Sequence, residues 1–173
     1  MSGHESAGGV LIPTAELPPA LQARLNALRQ AHFPPERNYL AAHVTLFHAL
    51  PPSCEAELRE VLARKAAEPA PYGQVEGVMS LGRGTAIRLS SPELAALRED
   101  LAERFWPLLS AQDQHRPRLH VTVQNKVTAD QAKPLQAELA PSIRAETFRF
   151  HGLGLHAYAG GPWHHVKSWS FRG

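Results

Sequence analysis

Two segments of the chain share a four-residue pattern in which a histidine, an apolar residue, a threonine and a second apolar residue follow one another. The pattern is HVTL at 43–46 and HVTV at 120–123. Given 10 histidines and 43% hydrophobic residues in the chain, chance predicts only about 0.06 copies of such a motif. Two copies therefore indicate a function that both segments serve.

The residue types in this motif suit the chemistry of a phosphodiester. Side chains alternate between the two faces of a strand, so His43 and Thr45 would share one face, as would His120 and Thr122. Cleavage of a P–O bond needs a base for the attacking oxygen and an acid for the leaving oxygen, and an imidazole can serve as either. The threonine hydroxyls can donate hydrogen bonds to the non-bridging oxygens. These four residues are the predicted catalytic set.

The spacing of apolar residues alternates between the two-residue repeat of strands and the three-to-four-residue repeat of helices. The predicted strands are 10–17, 41–50, 72–80, 85–90, 118–124, 146–157 and 163–171. Helices are predicted to begin near Pro19, at caps formed by Ser53 and Ser91, and at a capping box formed by Thr128. Arg29 is placed on the solvent face of the first helix. This pattern predicts an α+β fold.

The order of strand, helix and hairpin occurs twice along the chain. The sequence SLG at 80–82 follows the first motif, and GLG at 152–154 follows the second at a similar distance. We therefore predict an internal duplication with pseudo-two-fold symmetry. Each lobe would be a small, mostly antiparallel sheet backed by helices, with a central cleft between the lobes. Residues 10–173 would form this single bilobal domain after a flexible N-terminus at 1–9.

These residues resemble the two-histidine (2H) phosphoesterase superfamily, which includes bacterial and archaeal 2′-5′ RNA ligases and RNA 2′,3′-cyclic phosphodiesterases. Both motifs match its paired His-x-Thr-x signature, and the flanking stretches 33–38 and 47–51 are similar to a small stand-alone bacterial branch. The resemblance spans nearly the whole chain. It implies a bilobal α+β fold and metal-independent attack on cyclic phosphates, with the two histidines as acid and base. RNA-acting members often have an arginine five residues after the second histidine, where this chain has Asn125, so the substrate stays open.

Four further residues are candidates for substrate binding. Phe47 and Gln124 each lie two residues beyond a motif threonine, so they are predicted on the same face as that threonine. Phe47 could stack on a base, and Gln124 could bind phosphate or sugar. Arg88 and Lys167 are predicted in corresponding hairpin strands and could supply positive charge to the ligand. Packing roles for the first two, and solvated surface roles for the charged pair, remain open.

The number of histidines raises the question of a metal site. His164 and His165 are adjacent and would point to opposite faces of a strand, and no group of His, Asp and Glu has a recognised metal-binding spacing. We therefore expect no metal and no cofactor. The aromatic residues Tyr158, Trp163 and Trp169 are expected to pack on the sheet rather than to form a platform for stacked bases.

Composition and charge are those of an ordinary globular protein. The net charge of +2 tolerates a phosphate-bearing ligand but is small for a nucleic-acid-binding surface. Cys54 is the only cysteine, which excludes an internal disulfide. No apolar run approaches the roughly 20 residues of a membrane span. We expect a cytoplasmic monomer that has no membrane association.

The sequence is compatible with two functions. The first is an enzyme that hydrolyses 2′,3′-cyclic phosphates or 2′-5′ phosphodiester bonds, with an RNA end or a nucleotide as its substrate. The second is a non-catalytic RNA- or nucleotide-binding module on the same fold. The repeat makes the two histidines equivalent, so the sequence does not say which is the acid and which the base, nor whether ligation occurs.

Overall fold

The computed structural model describes residues 9–38 and 40–173. Within them the elements follow in this order: β1 (Val10–Glu16), α1 (Pro19–His32), β2 (Val44–Thr45), α2 (Glu55–Ala66), β3 (Tyr72–Ser80), β4 (Thr85–Ser90), α3 (Pro92–Arg104), β5 (His120–Gln124), α4 (Ala129–Leu139), β6 (Glu146–Arg149), β7 (Gly152–Tyr158) and β8 (His164–Ser170). The predicted flexible N-terminus lies outside the described residues except for Gly9, which is buried.

The strands form two four-stranded sheets. Sheet 1 has the order β2-β1-β7-β8, and sheet 2 has the order β5-β4-β3-β6. Every neighbouring pair in both sheets is antiparallel. Each strand that carries a motif therefore lies at one edge of its sheet. The predicted α+β class is confirmed.

The pseudo-two-fold arrangement is built by an exchange of strands between the two halves of the chain. Sheet 1 combines the first two strands with the last two, whereas sheet 2 combines the four strands between them. The unit β1-α1-β2 corresponds to β4-α3-β5, because in both a strand leads through a helix to a motif strand that pairs with it. Our pairing of Arg88 with Lys167 is therefore wrong: β4, which carries Arg88, corresponds to β1, and Lys167 lies in the outer strand β8.

Helix starts follow the local sequence signals in three of the four predicted cases. Helix α1 begins at Pro19, as predicted. Ser91 caps α3 through its hydroxyl. Thr128 and Gln131 form a reciprocal capping box at the start of α4. The predicted cap at Ser53 is wrong, because residues 52–54 form a 3₁₀ turn and α2 begins after it without a side-chain cap.

The predicted strand at 41–50 contracts to the two residues of β2. The buried carboxylate of Asp113 accepts hydrogen bonds from the backbone N–H groups of His48 and Ala49 at 2.9 and 3.0 Å. These donors are therefore lost to a strand ladder. Pairing resumes only at Leu50, which forms an isolated bridge with Leu11.

The predicted strand at 146–157 is divided where the chain crosses from one sheet to the other. The backbone N–H of Phe150 donates to the carbonyl oxygen of Pro71, beside sheet 2. The next N–H, that of His151, donates to the carbonyl oxygen of Glu16 in sheet 1. The division therefore connects β6 of one sheet to β7 of the other.

One continuous hydrophobic core contains residues from both sheets and all four helices. The apolar members of both motifs belong to it: Val44, Leu46, Val121 and Val123 are each at most 1% exposed. Their burial fixes the edge strands and leaves the histidine and threonine of each motif on the other face. Within residues 9–38 and 40–173, no helix has both the length and the apolar character that crossing a bilayer requires.

Candidate active site

The two motif strands, β2 and β5, contact each other where the edges of the two sheets meet. His43, Thr45, His120 and Thr122 are all partly exposed there, whereas their apolar neighbours are buried. The structure thus brings the four predicted catalytic side chains to one region of the molecule. The pseudo-dyad of the fold relates one pair to the other.

Each motif histidine is oriented by the carbonyl group two residues before it. Nδ1 of His43 lies 2.8 Å from the carbonyl oxygen of Ala41, and Nδ1 of His120 lies 2.6 Å from that of Arg118. A carbonyl oxygen only accepts, so each Nδ1 carries the hydrogen and donates it. In the neutral rings Nε2 is then the atom that can accept a proton.

The surroundings of His43 keep its ring neutral. Burial lowers the pKa of His43 to about 4, against the opposing effect of its hydrogen bond to the Ala41 carbonyl; positive charge at Arg29 and at His120 lowers the pKa further. At neutral pH the ring therefore carries a single hydrogen and is ready to accept a second one. This is the protonation state that a general base requires.

Comparison with known protein families assigns the chain to one of them. The family model described as the 2′-5′ RNA ligase superfamily matches residues 17–162. The chain belongs to the 2′-5′ RNA ligase superfamily. This result confirms the resemblance to 2H phosphoesterases that the paired motifs indicated. No curated protein sequence matches the chain.

Solved structures share the fold of this superfamily member at low sequence identity. E. coli LigT complexed with 3′-AMP is 19% identical, with a TM-score of 0.63 over 95% of this chain and 99% of LigT. TT0787 of Thermus thermophilus is 16% identical, with a TM-score of 0.61 over 95% of this chain and 98% of that protein. These likenesses establish the fold.

Arg29 is a buried residue of the site that the sequence prediction misplaced on the solvent face of α1. It is only 3% exposed. Its Nε donates to the carbonyl oxygen of Leu40 at 3.1 Å and to Oδ1 of Asn38 at 3.3 Å. Its Nη1 donates to the carbonyl oxygen of Thr122 at 2.7 Å. Arg29 therefore connects α1 both to the segment before His43 and to the second motif.

The spacing in α1 contains a signal for this burial. Leu21 and Leu25 are buried, and Arg29 follows Leu25 at the same interval of four residues on one helix face. An arginine that continues an apolar stripe is a candidate for a buried guanidinium. The sequence prediction followed the general tendency of charged residues to be exposed and therefore missed this signal.

Arg98 of α3 has the corresponding role on the other side of the pseudo-dyad. Its Nε donates to the carbonyl oxygen of Leu46 in the first motif at 3.0 Å, and its Nη2 donates to that of Asp113 at 2.6 Å. Each of the two helices thus contributes one buried arginine that binds the backbone of the motif in the opposite half. In this member of the superfamily, the two arginines join the halves at the candidate active site.

The structure buries both residues that were predicted to extend the cleft faces of the motifs. Phe47 is 1% exposed and packs under the Arg98 guanidinium; strand alternation ends after Thr45, so the predicted cleft-face position is wrong. Gln124 is 7% exposed, and its Oε1 accepts a hydrogen bond from Thr85 at 2.9 Å. A register shift in the pairing of β4 with β5 moves Gln124 off the face of the motif threonine.

The two predicted positive charges lie in different surroundings. Arg88 is exposed and directly opposite His120 in the β4–β5 register, so it stands beside that histidine on the same face. Lys167 pairs with Leu155, whose neighbour Gly154 pairs with Thr14 on the face of Thr45. Lys167 therefore lies on the face of sheet 1 that points away from the motif side chains.

Of the two predicted cations, Arg88 is therefore the one that lies beside the motif side chains. In the part of the chain that the structure describes, no group of three or more His, Cys, Asp or Glu side chains is placed to hold a metal ion. Cys54 is buried and unpaired. The arrangement offers two oriented imidazoles, two hydroxyls and one adjacent guanidinium, which together suit an anionic ligand.

Proposed function

We propose that the chain is a metal-independent phosphodiesterase that opens 2′,3′-cyclic phosphates, or cleaves 2′-5′ bonds, of RNA or nucleotides. The matched orientation of two imidazoles on adjoining edge strands supports this proposal most strongly. Each is held through Nδ1 by a backbone carbonyl, and each thus has Nε2 for proton transfer. A module that only binds RNA needs no such matched pair.

In the proposed reaction His43 is the general base and His120 the general acid. His43 removes a proton from water as the water oxygen attacks phosphorus, and His120 donates a proton to the ribose oxygen as its bond to phosphorus breaks. Thr45 and Thr122 donate hydrogen bonds to the non-bridging oxygens, and Arg88 adds positive charge beside them. Exchange of protons with solvent restores both rings. Ligation would use the same two groups with a 5′-hydroxyl in place of water: His43 removes its proton as its oxygen attacks the cyclic phosphate, and His120 protonates the ribose oxygen that leaves.

The remaining expectations belong to the same proposal. Residues 10–173 act as a single bilobal domain, as a monomer, in the cytoplasm, and without a metal ion or cofactor. The substrate is an RNA end or a nucleotide with a cyclic phosphate. E. coli LigT has been crystallised with 3′-AMP, which supports a nucleotide as the ligand of this fold. The alternative is a non-catalytic RNA- or nucleotide-binding module.

Turnover in the presence of a chelator tests the proposal and the alternative together. Purified protein is incubated with 2′,3′-cyclic nucleotides and with 2′-5′ dinucleotides, with and without EDTA, and products are separated by chromatography. We expect conversion of at least one class at equal rates in both conditions. Binding of these ligands without any conversion would instead favour the module, and a loss of activity in EDTA would contradict metal independence.

The pH dependence of turnover is expected to reveal the lowered pKa of the base. His43 must lack its second proton to act, so kcat/KM falls when the pH drops through the pKa of His43. Because that pKa is lowered from 6.5 to about 4, the acidic limb should lie near pH 4. The profile is measured from pH 3.5 upwards, with circular dichroism at each pH to confirm folding. An acidic limb between pH 6 and 7 would contradict the assignment of His43 as base.

A further inference from the structure

A cavity of about 410 Å³ lies beside His43. Its walls are the motif-facing side of sheet 1, the start of α1 and the segment that leads to His43. The described residues that line it include Glu16, His156 and His165 but none of the second motif. We call this space the His156 pocket. Because it adjoins the first motif and not the second, it would hold only the part of a bound substrate that lies next to His43.

Trp163 connects His43 with the pocket ring His156, although Trp163 itself does not line the pocket. The Trp163 ring centre lies 5.1 Å from that of His43 and 5.6 Å from that of His156. The rings of His156 and His165 are 5.4 Å apart. Trp163, which was expected to pack on the sheet, is thus placed between a catalytic ring and a pocket ring. Such distances are those of interacting aromatic groups, and the rings of His156 and His165 line the pocket.

The floor of the pocket contains a buried hydroxyl group without a partner. Oγ1 of Thr14 is inaccessible and makes no hydrogen bond, and Thr14 is 1% exposed. A Cβ atom at Gly154 would lie 2.9 Å from this Oγ1 and 2.8 Å from Oε2 of Glu16. The glycine therefore keeps space open next to both polar groups. Buried polar groups are nearly always hydrogen-bonded, so the unpartnered Thr14 hydroxyl and the Glu16 carboxylate make this end of the pocket polar.

The charge of the pocket makes it unsuitable for a phosphate group. Glu16 is anionic, and no lysine or arginine is among the described residues that line the space. Burial lowers the pKa of His156 to about 4, and the charges of His43 and His165 lower it further, so the ring is neutral at pH 7. The pocket is therefore suited to an uncharged group with a polar edge. Arg88, by contrast, stands on the far side of the site, next to His120.

We propose that the His156 pocket binds the nucleobase of the nucleotide whose phosphate is attacked, with His156 as the ring that contacts the base and Trp163 as the ring that packs against His156 and holds it in place. This inference rests on the proposed function, because the base is the uncharged, planar and polar-edged group attached to a ribose cyclic phosphate. A volume of about 410 Å³ is within the usual range for small-molecule sites. The enzyme would accordingly favour cyclic phosphates that carry a base over those that lack one.

Kinetics with a matched pair of substrates tests the pocket. Adenosine 2′,3′-cyclic phosphate carries a base, and 1-O-methylribose 2′,3′-cyclic phosphate does not. With His156→Ala and Trp163→Ala we expect kcat/KM for the adenosine substrate to fall about tenfold, within the range for the loss of a stacked base. The base-free substrate should change less than about twofold. His164→Ala is the control, because His164 is exposed, does not line the pocket and lacks the ring contacts that Trp163 makes with His43 and His156; it should alter neither.

An equal loss on both substrates, or no loss on either, would overturn the proposal. Circular dichroism and thermal melting of each variant exclude unfolding as the cause. Equilibrium titration, which does not depend on turnover, uses 3′-AMP and 1-O-methylribose 3-phosphate. We expect the wild type to bind 3′-AMP about tenfold more tightly, and His156→Ala to remove that preference. If neither cyclic substrate is turned over but the wild type still prefers 3′-AMP, the proposed enzymatic function is refuted while binding of a base in the His156 pocket is supported. Equal affinities in the wild type would refute the pocket.

Discussion

Replacement of either motif histidine by alanine should lower kcat/KM for a cyclic phosphate about a thousandfold, because one positioned proton transfer contributes roughly 10²- to 10⁴-fold. His43→Ala removes the base and His120→Ala removes the acid. Both side chains are partly exposed and outside the core, so the thermal transition should move little. Initial rates at several substrate concentrations should show the loss mainly in kcat, since the ring acts in the transition state.

The double variant separates a cooperating pair from two independent contributors. If base and acid act in the same step, His43→Ala combined with His120→Ala should lose little more than either single variant. Independent contributions would multiply instead. His164→Ala serves as the control for loss of a histidine from an exposed strand position. If either single variant retained a tenth or more of the wild-type rate, the two-histidine mechanism would be wrong.

The features that the sequence predicted well are those determined by neighbouring residues. The bounds of β3 and β4 were predicted at 72–80 and 85–90, as observed, because turn residues flank both strands. The capping box at Thr128 also depends only on residues three apart. The faces of the two motifs followed in the same way, since strand alternation separates each histidine and threonine from their valine neighbours.

Features that depend on distant residues could not be predicted in this way. Alternation beyond Thr45 placed Phe47 in the cleft, but the carboxylate of Asp113 binds the backbone just after it and ends the strand. The approach of Trp163 to His43 joins segments from opposite ends of the chain. The exchange of strands between the two sheets is likewise a property of the whole fold. No local periodicity encodes these contacts.

The burial of Arg29 is a tertiary feature with consequences for both stability and chemistry. Its guanidinium donates to acceptors at Asn38, Leu40 and Thr122. Arg29→Met would leave these acceptors without their charged donor, and hydrogen bonds to charged groups contribute about 1.5–3 kcal/mol each. We therefore expect the free energy of unfolding to fall by about 3 kcal/mol, measured by urea denaturation. Activity should also fall, because the two motifs lose a direct connection.

The pH profile distinguishes a positioning role of Arg29 from a purely structural one. The positive charge of Arg29 lowers the pKa of His43, so its removal in Arg29→Met should raise that pKa. The acidic limb of kcat/KM should then move to higher pH. Arg29→Lys keeps the charge but loses the planar fork of donors. It should lose stability while its acidic limb stays near that of the wild type.

Arg24 provides the matched control on the same helix. It forms an exposed ion pair with Glu146 at 2.6 Å, and such surface pairs contribute at most about 1 kcal/mol. Arg24→Met should therefore change stability by less than about 1 kcal/mol and leave the acidic limb in place. Equal behaviour of Arg24→Met and Arg29→Met would show that burial gives Arg29 no special role. If only Arg29→Met loses much stability and moves the acidic limb of kcat/KM to higher pH, then the residue that connects the two halves also controls the protonation of His43.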